Sequence, residues 1–244
     1  FLLACQEGQA EVVKLMMADP RVDVNLAQIQ GKKIVFYFFF FFFTILIFNK
    51  LFFFFQGCTP IFLASQNGKI EIIKILLSDP RVEVDKPRDT GATPLLIACE
   101  NGHAEIAKLL LFDERTNVNF SGANGRTPLW LASQNGHLMI LKLILATDKE
   151  INTSARDASQ GLTALDQAKI STHTAQAPWE QPEDVKRRYQ NGPQIVQLLT
   201  EYEKNPSKVR RQLQKEISYY GFVLFLFLSS FLKLIRKLIF LSKS

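Results

Sequence analysis

Three stretches of this 244-residue chain repeat one another at a fixed interval, and that interval constrains the fold more than any other feature. "CTPIFLASQNGKIEIIKILLSDPRVEVDKPRDTG" is followed by "ATPLLIACENGHAEIAKLLLFDERTNVNFSGANG" and then by "RTPLWLASQNGHLMILKLILATDKEINTSARDASQG". Thr59, Thr93 and Thr127 stand 34 residues apart, and so do Gly68, Gly102 and Gly136. A partial copy, "FLLACQEGQAEVVKLMMADPRVDVNLAQIQG", opens the chain, and a divergent one begins with "LTALDQAKI" at Leu162. Self-similarity at such a period is the mark of a stacked repeat architecture.

Each unit reads as two short helices and an extended finger. Thr-Pro places a proline in the first turn of a helix, where its missing N–H costs nothing and the threonine can cap. An apolar helix of about two turns follows, as over Leu95 to Cys99, and Asn101-Gly102 ends it with residues that tolerate left-handed backbone angles. The next helix, Ala104 to Phe112, carries apolar Ile106, Ala107, Leu109, Leu110 and Leu111, with Glu105 and Lys108 on the outer side. Then "DPRVEVD" or "DERTNVN" alternates apolar and polar residues into a glycine-containing turn, which predicts an extended finger. One such helix pair cannot bury its own apolar face, whereas stacked neighbours can.

The units resemble ankyrin repeats. The resemblance rests on Thr59-Pro60-Ile61, Thr93-Pro94-Leu95 and Thr127-Pro128-Leu129, on Ala64, Ala98 and Ala132, and on the turns Asn67-Gly68, Asn101-Gly102-His103 and Asn135-Gly136-His137. Leu76-Leu77 and Leu110-Leu111 match the second helix, and Val24-Asn25, Val84-Asp85, Val118-Asn119 and Ile151-Asn152 close the units. It covers roughly residues 1–31 and 57–170. Phe62, Leu96 and Trp130 stand where the family keeps a histidine.

The resemblance implies an all-α solenoid of stacked helix pairs with short β-hairpin fingers. It also implies a non-catalytic module that binds partner proteins on a concave face of finger tips and first helices. The contact positions that map onto this chain are Asp89, Thr90 and Ala92 in one finger and Asn124 and Arg126 in the next. Gln66, Glu100 and Gln134 come from the first-helix ends, with Asn67, Asn101 and Asn135 beside them as weaker candidates. Trp130 reads either as an aromatic anchor for a partner or as packing between repeats. In the family the turn histidine, here His103 and His137, fastens one repeat to the next through hydrogen bonds.

Residues 32–57 interrupt this order with "KKIVFYFFFFFFTILIFNKLFFFFQG", which holds 12 of the chain's 21 phenylalanines. Removing these 26 residues leaves Asp19 and Thr59 14 positions apart, the separation of Asp79 from Thr93. The insert therefore falls in a finger between two repeats in register. Three readings compete. A membrane span is short, because the uncharged run from Ile34 to Phe48 meets Asn49-Lys50, and a single crossing would part the first repeat from its stacking partners. A membrane-dipping loop needs its backbone groups paired unless it is helical. The favoured reading is genetic: the run implies a pyrimidine tract, Gly31-Lys32 can be encoded by GGTAAG and Gln56 by CAG, as at the edges of an unspliced intron.

The rest divides into repeats over 58–91, 92–125 and 126–161, a divergent C-terminal repeat over 162–217, and a hydrophobic, basic tail over 218–244. In the divergent unit "STHTAQAPWEQPEDVKRRYQNG" reads as a long loop, "GPQIVQLLTEYEKN" as a second helix and "PSKVRRQLQKEI" as a basic capping helix, or alternatively as a docking element for anionic partners. The tail reads as noncoding read-through or as a short membrane anchor with a basic flank. Because the chain begins at Phe1, in what reads as mid-helix, it is taken as a fragment.

Net charge is +6, yet residues 57–160 carry 11 basic and 12 acidic groups, so no basic working face for nucleic acid is indicated. Cys5, Cys58 and Cys99 form no CxxC pair and suggest neither a disulfide framework nor a zinc site. No phosphate loop or catalytic constellation is found. The sequence predicts a cytoplasmic, monomeric protein-binding chain without enzymatic activity, cofactor or metal, with membrane association as the alternative.

Overall fold

The computed structural model describes residues 1–26, 57–173 and 181–218. Its helices form two rows. The inner row is α1 (Leu2–Glu7), α3 (Pro60–Gln66), α5 (Pro94–Asn101), α7 (Pro128–Gln134) and α9 (Ala164–His173). The outer row is α2 (Ala10–Met17), α4 (Ile70–Leu77), α6 (Ala104–Phe112), α8 (Leu138–Ala146) and α10 (Pro182–Lys204), followed by α11 over 206–218. Each inner helix touches the inner helix of the next unit and the outer helix of its own, and each outer helix touches the next outer one. This is the regular translation expected of a solenoid.

Local chemistry starts the inner helices. Thr59, Thr93 and Thr127 are extended N-caps, and their Oγ1 atoms accept from the backbone N–H groups of Phe62, Leu96 and Trp130 at 3.3, 3.3 and 3.2 Å. The cap uses a backbone donor, so it persists with Phe, Leu or Trp at that place. Six consecutive residues are buried in α3, α5 and α7 alike, for example Pro94 to Cys99. An inner helix is enclosed by neighbours on several sides and needs no polar stripe. One core cluster runs from Ala4 to Leu213 and includes Leu95, Leu110 and Leu129.

Polar clamps reinforce this stacking. Arg81 and Arg115 each pair with the aspartate two residues earlier and then reach back to the outer helix of the preceding unit. Arg81 donates to the Met17 carbonyl at 2.9 Å, and Arg115 to the Leu77 carbonyl at 2.9 Å. Lys149 reaches the carbonyls of Asp113 and Thr116, both at 2.7 Å. Cations thus meet the unpaired carbonyls and negative dipole at the ends of α2, α4 and α6. A second ladder uses amides. Asn25 donates to the Arg81 carbonyl and accepts from Glu83 N–H, and Asn119 does the same with Glu150 and Asn152. Asp85 holds the equivalent place but only accepts, from Asn117 N–H, and burial raises its pKa above the usual carboxylate range.

Two expectations are corrected. The β-hairpin fingers contain no strand among the described residues. Each closes by a tight turn, Gly91 N–H to Arg88 C=O at 2.7 Å and Gly125 N–H to Gly122 C=O at 2.8 Å, with one bond across it, Arg88 to Ala92 or Gly122 to Arg126. One cross-bond per finger is too few for a ladder. The long loop of the divergent unit is also corrected: α9 runs to His173, and the chain is continuously helical from Pro182 to Lys204. Pro182 with Glu183 and Asp184 in the first turn is a strong start signal. Gly192, read as part of that loop, lies inside α10, and a Cβ there would stand 2.4 Å from Thr172 Oγ1, so the close approach to α9 requires a glycine.

The Phe-rich insert falls almost wholly outside the described residues, as do the tail from 219 onward and the membrane readings attached to both. Among the described residues no helix is long and apolar enough to cross a membrane. The units flanking the insert stack as direct neighbours, with α1 on α3 and α2 on α4. Deleting 32–57 is therefore expected to leave one cooperative unfolding transition in urea, with helical circular dichroism preserved; loss of the transition would show that the insert belongs to the core. Replacing Asp85 by Asn is expected to stabilise the chain by about 1 kcal/mol in the same assay, the size of one regained hydrogen bond.

Candidate binding groove

The walls of a groove are set by how one inner helix ends against the next unit. Gly102 closes α5 at φ 78°, and a Cβ there would lie 2.3 Å from the ring of His137. The tight approach lets His137 Nε2 bond the Glu100 carbonyl at 3.2 Å, with Asn135 Nδ2 donating to the same oxygen at 3.2 Å. One unit earlier, His103 Nε2 and Asn101 Nδ2 both meet the Gln66 carbonyl at 3.1 Å. Asn101 and Asn135 thus fasten neighbouring units. Burial and the nearby Arg187 push the His137 pKa down to about 4, so the ring stays neutral at ordinary pH.

At the finger end, Trp130 is 2% exposed. Its indole N–H donates to the Leu162 carbonyl of the next unit at 3.2 Å, and Arg126 lies over its ring with 4.4 Å to the centroid. Of the two readings for Trp130, packing between repeats describes its place in this geometry. Arg88 covers Phe62 at 5.5 Å in a related way. Asp157 is 4% exposed, and its carboxylate accepts from Ser159, Gln160 and Leu162, which holds its pKa at about 2 and fixes the finger leading into α9.

Between these ends lies a groove of about 880 Å³. Glu100, Arg126, Trp130 and Gln134 of the sequence-derived contact set line it, with Asn101 and Asn135. Gln66, Asp89, Thr90, Ala92 and Asn124 do not. Gln66 is half-buried and its Oε1 is sealed without a partner. Asp89, Thr90 and Asn124 are exposed on fingers; Thr90 Oγ1 accepts from Arg88 Nε at 2.6 Å, and the Asn124 carbonyl accepts from Ala158 N–H at 2.8 Å. The Ala92 carbonyl accepts from Arg88 N–H at 3.0 Å.

Residues that sequence reading missed form the remaining wall. Arg187 at the start of α10 donates to the Asn135 carbonyl at 3.0 Å and pairs with Asp184 at 2.5 Å. Asn191 donates to the Gly136 carbonyl at 2.8 Å, and Arg188 packs so closely that a Cβ on Gly136 would lie 2.9 Å from its Cα. The extended first half of α10 therefore takes the place that a turn histidine fills elsewhere. The start signal Pro182-Glu183-Asp184 could have revealed it; the loop reading concealed it.

A family profile described as ankyrin repeats in three copies matches residues 1–121 and 61–157. The chain belongs to the ankyrin repeat family. Comparison with curated proteins returns no match. Ankyrin repeats are generally protein-interaction modules, and the family is typically non-catalytic. The three thiols of this ankyrin chain, Cys5, Cys58 and Cys99, are buried and form no disulfide, and burial pushes Cys5 up to about 12. Low thiolate content makes them packing residues. Among the described residues no group of three His, Cys, Asp or Glu is placed to hold a metal ion.

Because the folded pKa of His137 lies below its ordinary 6.5, its contribution to stability is fully present above pH 6.5 and is lost as pH falls towards 4. The loss is on the order of 3 kcal/mol. Urea titrations across that window should show His137→Gln flattening the pH dependence; an unchanged slope would count against a buried neutral ring.

Proposed function

We propose that this ankyrin chain is a non-catalytic, monomeric adaptor that grips a segment of a partner protein in the groove between the inner-helix ends, the finger at Asp157 to Gln160 and the start of α10. The observation that carries the reading is the groove itself, a concavity of about 880 Å³ on the inner-helix side of the stack, with polar side chains along its walls. Family membership supports a protein partner. Buried thiols that form no disulfide suit a reducing, cytoplasmic setting.

Gln134 is half-buried and lines the groove, whereas Lys74 lies on the exposed side of α4, remote from it in the stack. Peptides selected on the full chain from a displayed random library should lose affinity at least tenfold with Gln134→Trp, which fills the groove, and keep it with Lys74→Glu. Equal affinity for both variants would place recognition elsewhere.

A further inference from the structure

Arg126 is the one arginine among the described residues whose side chain has no hydrogen-bond acceptor. Arg21, Arg81 and Arg115 grip the aspartate two positions earlier, and Arg187 pairs with Asp184. The others donate to backbone or hydroxyl oxygens. Arg126 only stacks, 4.4 Å from the Trp130 centroid, and its Nε is sealed from water without a partner. The side chain is half-buried and lines the groove. With Nε closed off and no protein acceptor on the Nη groups, the Nη edge at the groove wall is the part of the guanidinium that a ligand anion can reach and pair.

The acids nearby do not supply that anion. Asp157 spends its carboxylate on the finger N–H groups, and Asp184 spends its own on Arg187. Glu100 is exposed at the opposite, C-terminal end of the neighbouring inner helix, whereas Arg126 immediately precedes the Thr127 cap of α7. The unmet charge at the finger end of the groove is therefore a cation. Stacking on an indole whose own N–H is tied to Leu162 holds the guanidinium plane in place, so its Nη edge is set before a ligand arrives.

We propose that the groove selects an acidic segment of its partner, one Asp or Glu carboxylate seating on the Nη edge of Arg126 as a forked pair. The inference rests on the groove being the partner site.

The experiment uses peptides selected on the full chain from a displayed random library, then synthesised and titrated by fluorescence anisotropy. Asp or Glu should be enriched at one position. Arg126→Gln should weaken binding about tenfold. Replacing the peptide's acid by its amide should weaken it equally, with no additional loss when both changes are combined. Arg126→Lys should recover part of the affinity. Selected peptides without acidic enrichment, or peptides indifferent to Arg126→Gln yet lost with Gln134→Trp, would overturn the acidic preference and leave the groove reading standing. Peptides indifferent to both variants would overturn the groove reading as well. Should Arg126→Gln unfold, as a thermal melt would reveal, the amide peptide on the unaltered chain gives the same readout, and unchanged affinity there overturns the proposal.

Discussion

Burial shared between neighbours is the constraint on which this molecule depends. An inner helix of seven or eight residues, such as α3 or α5, is too short to be stable alone in water. It persists because Ile61, Leu95 and Leu129 are enclosed at once by their own outer helix and by the helices on either side. Hydrophobic contact has no direction, however, and would allow the units to slide. The directional parts are polar: the threonine caps, the histidine and asparagine bonds to inner-helix carbonyls, and the cations on outer-helix ends. Together they turn a greasy stack into one with a single phase.

That division of labour also makes the groove. The Glu100 carbonyl at the end of α5 is taken up by the next unit and those of Asn135 and Gly136 beyond α7 by α10, so the chain there is fixed, while the side chains of Glu100 and Gln134 line the groove. The backbone at these helix ends maintains the fold, and the side chains of Glu100 and Gln134 are available for recognition. At the other end Trp130 gives its N–H to the next unit and its ring face to Arg126, joining the stack to the only arginine among the described residues left without an acceptor.

Much of this was legible in the sequence because the signals recur. Thr-Pro, Asn-Gly and the paired leucines return every 34 residues, and a feature seen three times outweighs the ambiguity of any one copy. The C-terminal unit was harder because it has no second copy to average against. Asn191-Gly192-Pro193 ordinarily breaks a helix, and only the contact of Gly192 with Thr172 shows why a glycine is needed there inside one. The Asp-Arg pairs were read as finger chemistry, since their carbonyl partners lie 64 and 38 residues earlier in the chain and nothing local points to them. Trp130 illustrates a different limit: its identity was plain, but which side of it faces solvent depends on the next unit's backbone.

Residues 32–57 fall in the finger between two units that stack as direct neighbours. Fingers sit at the margin of the rod, and lengthening a connection there from a few residues to about thirty raises its closure entropy by only about 2 kcal/mol, since that cost grows with the logarithm of length. Asn25 and Arg81 still find each other across it. The margin therefore behaves as a graft port, where foreign sequence or a tethered cargo can be carried while the units beyond it continue in step.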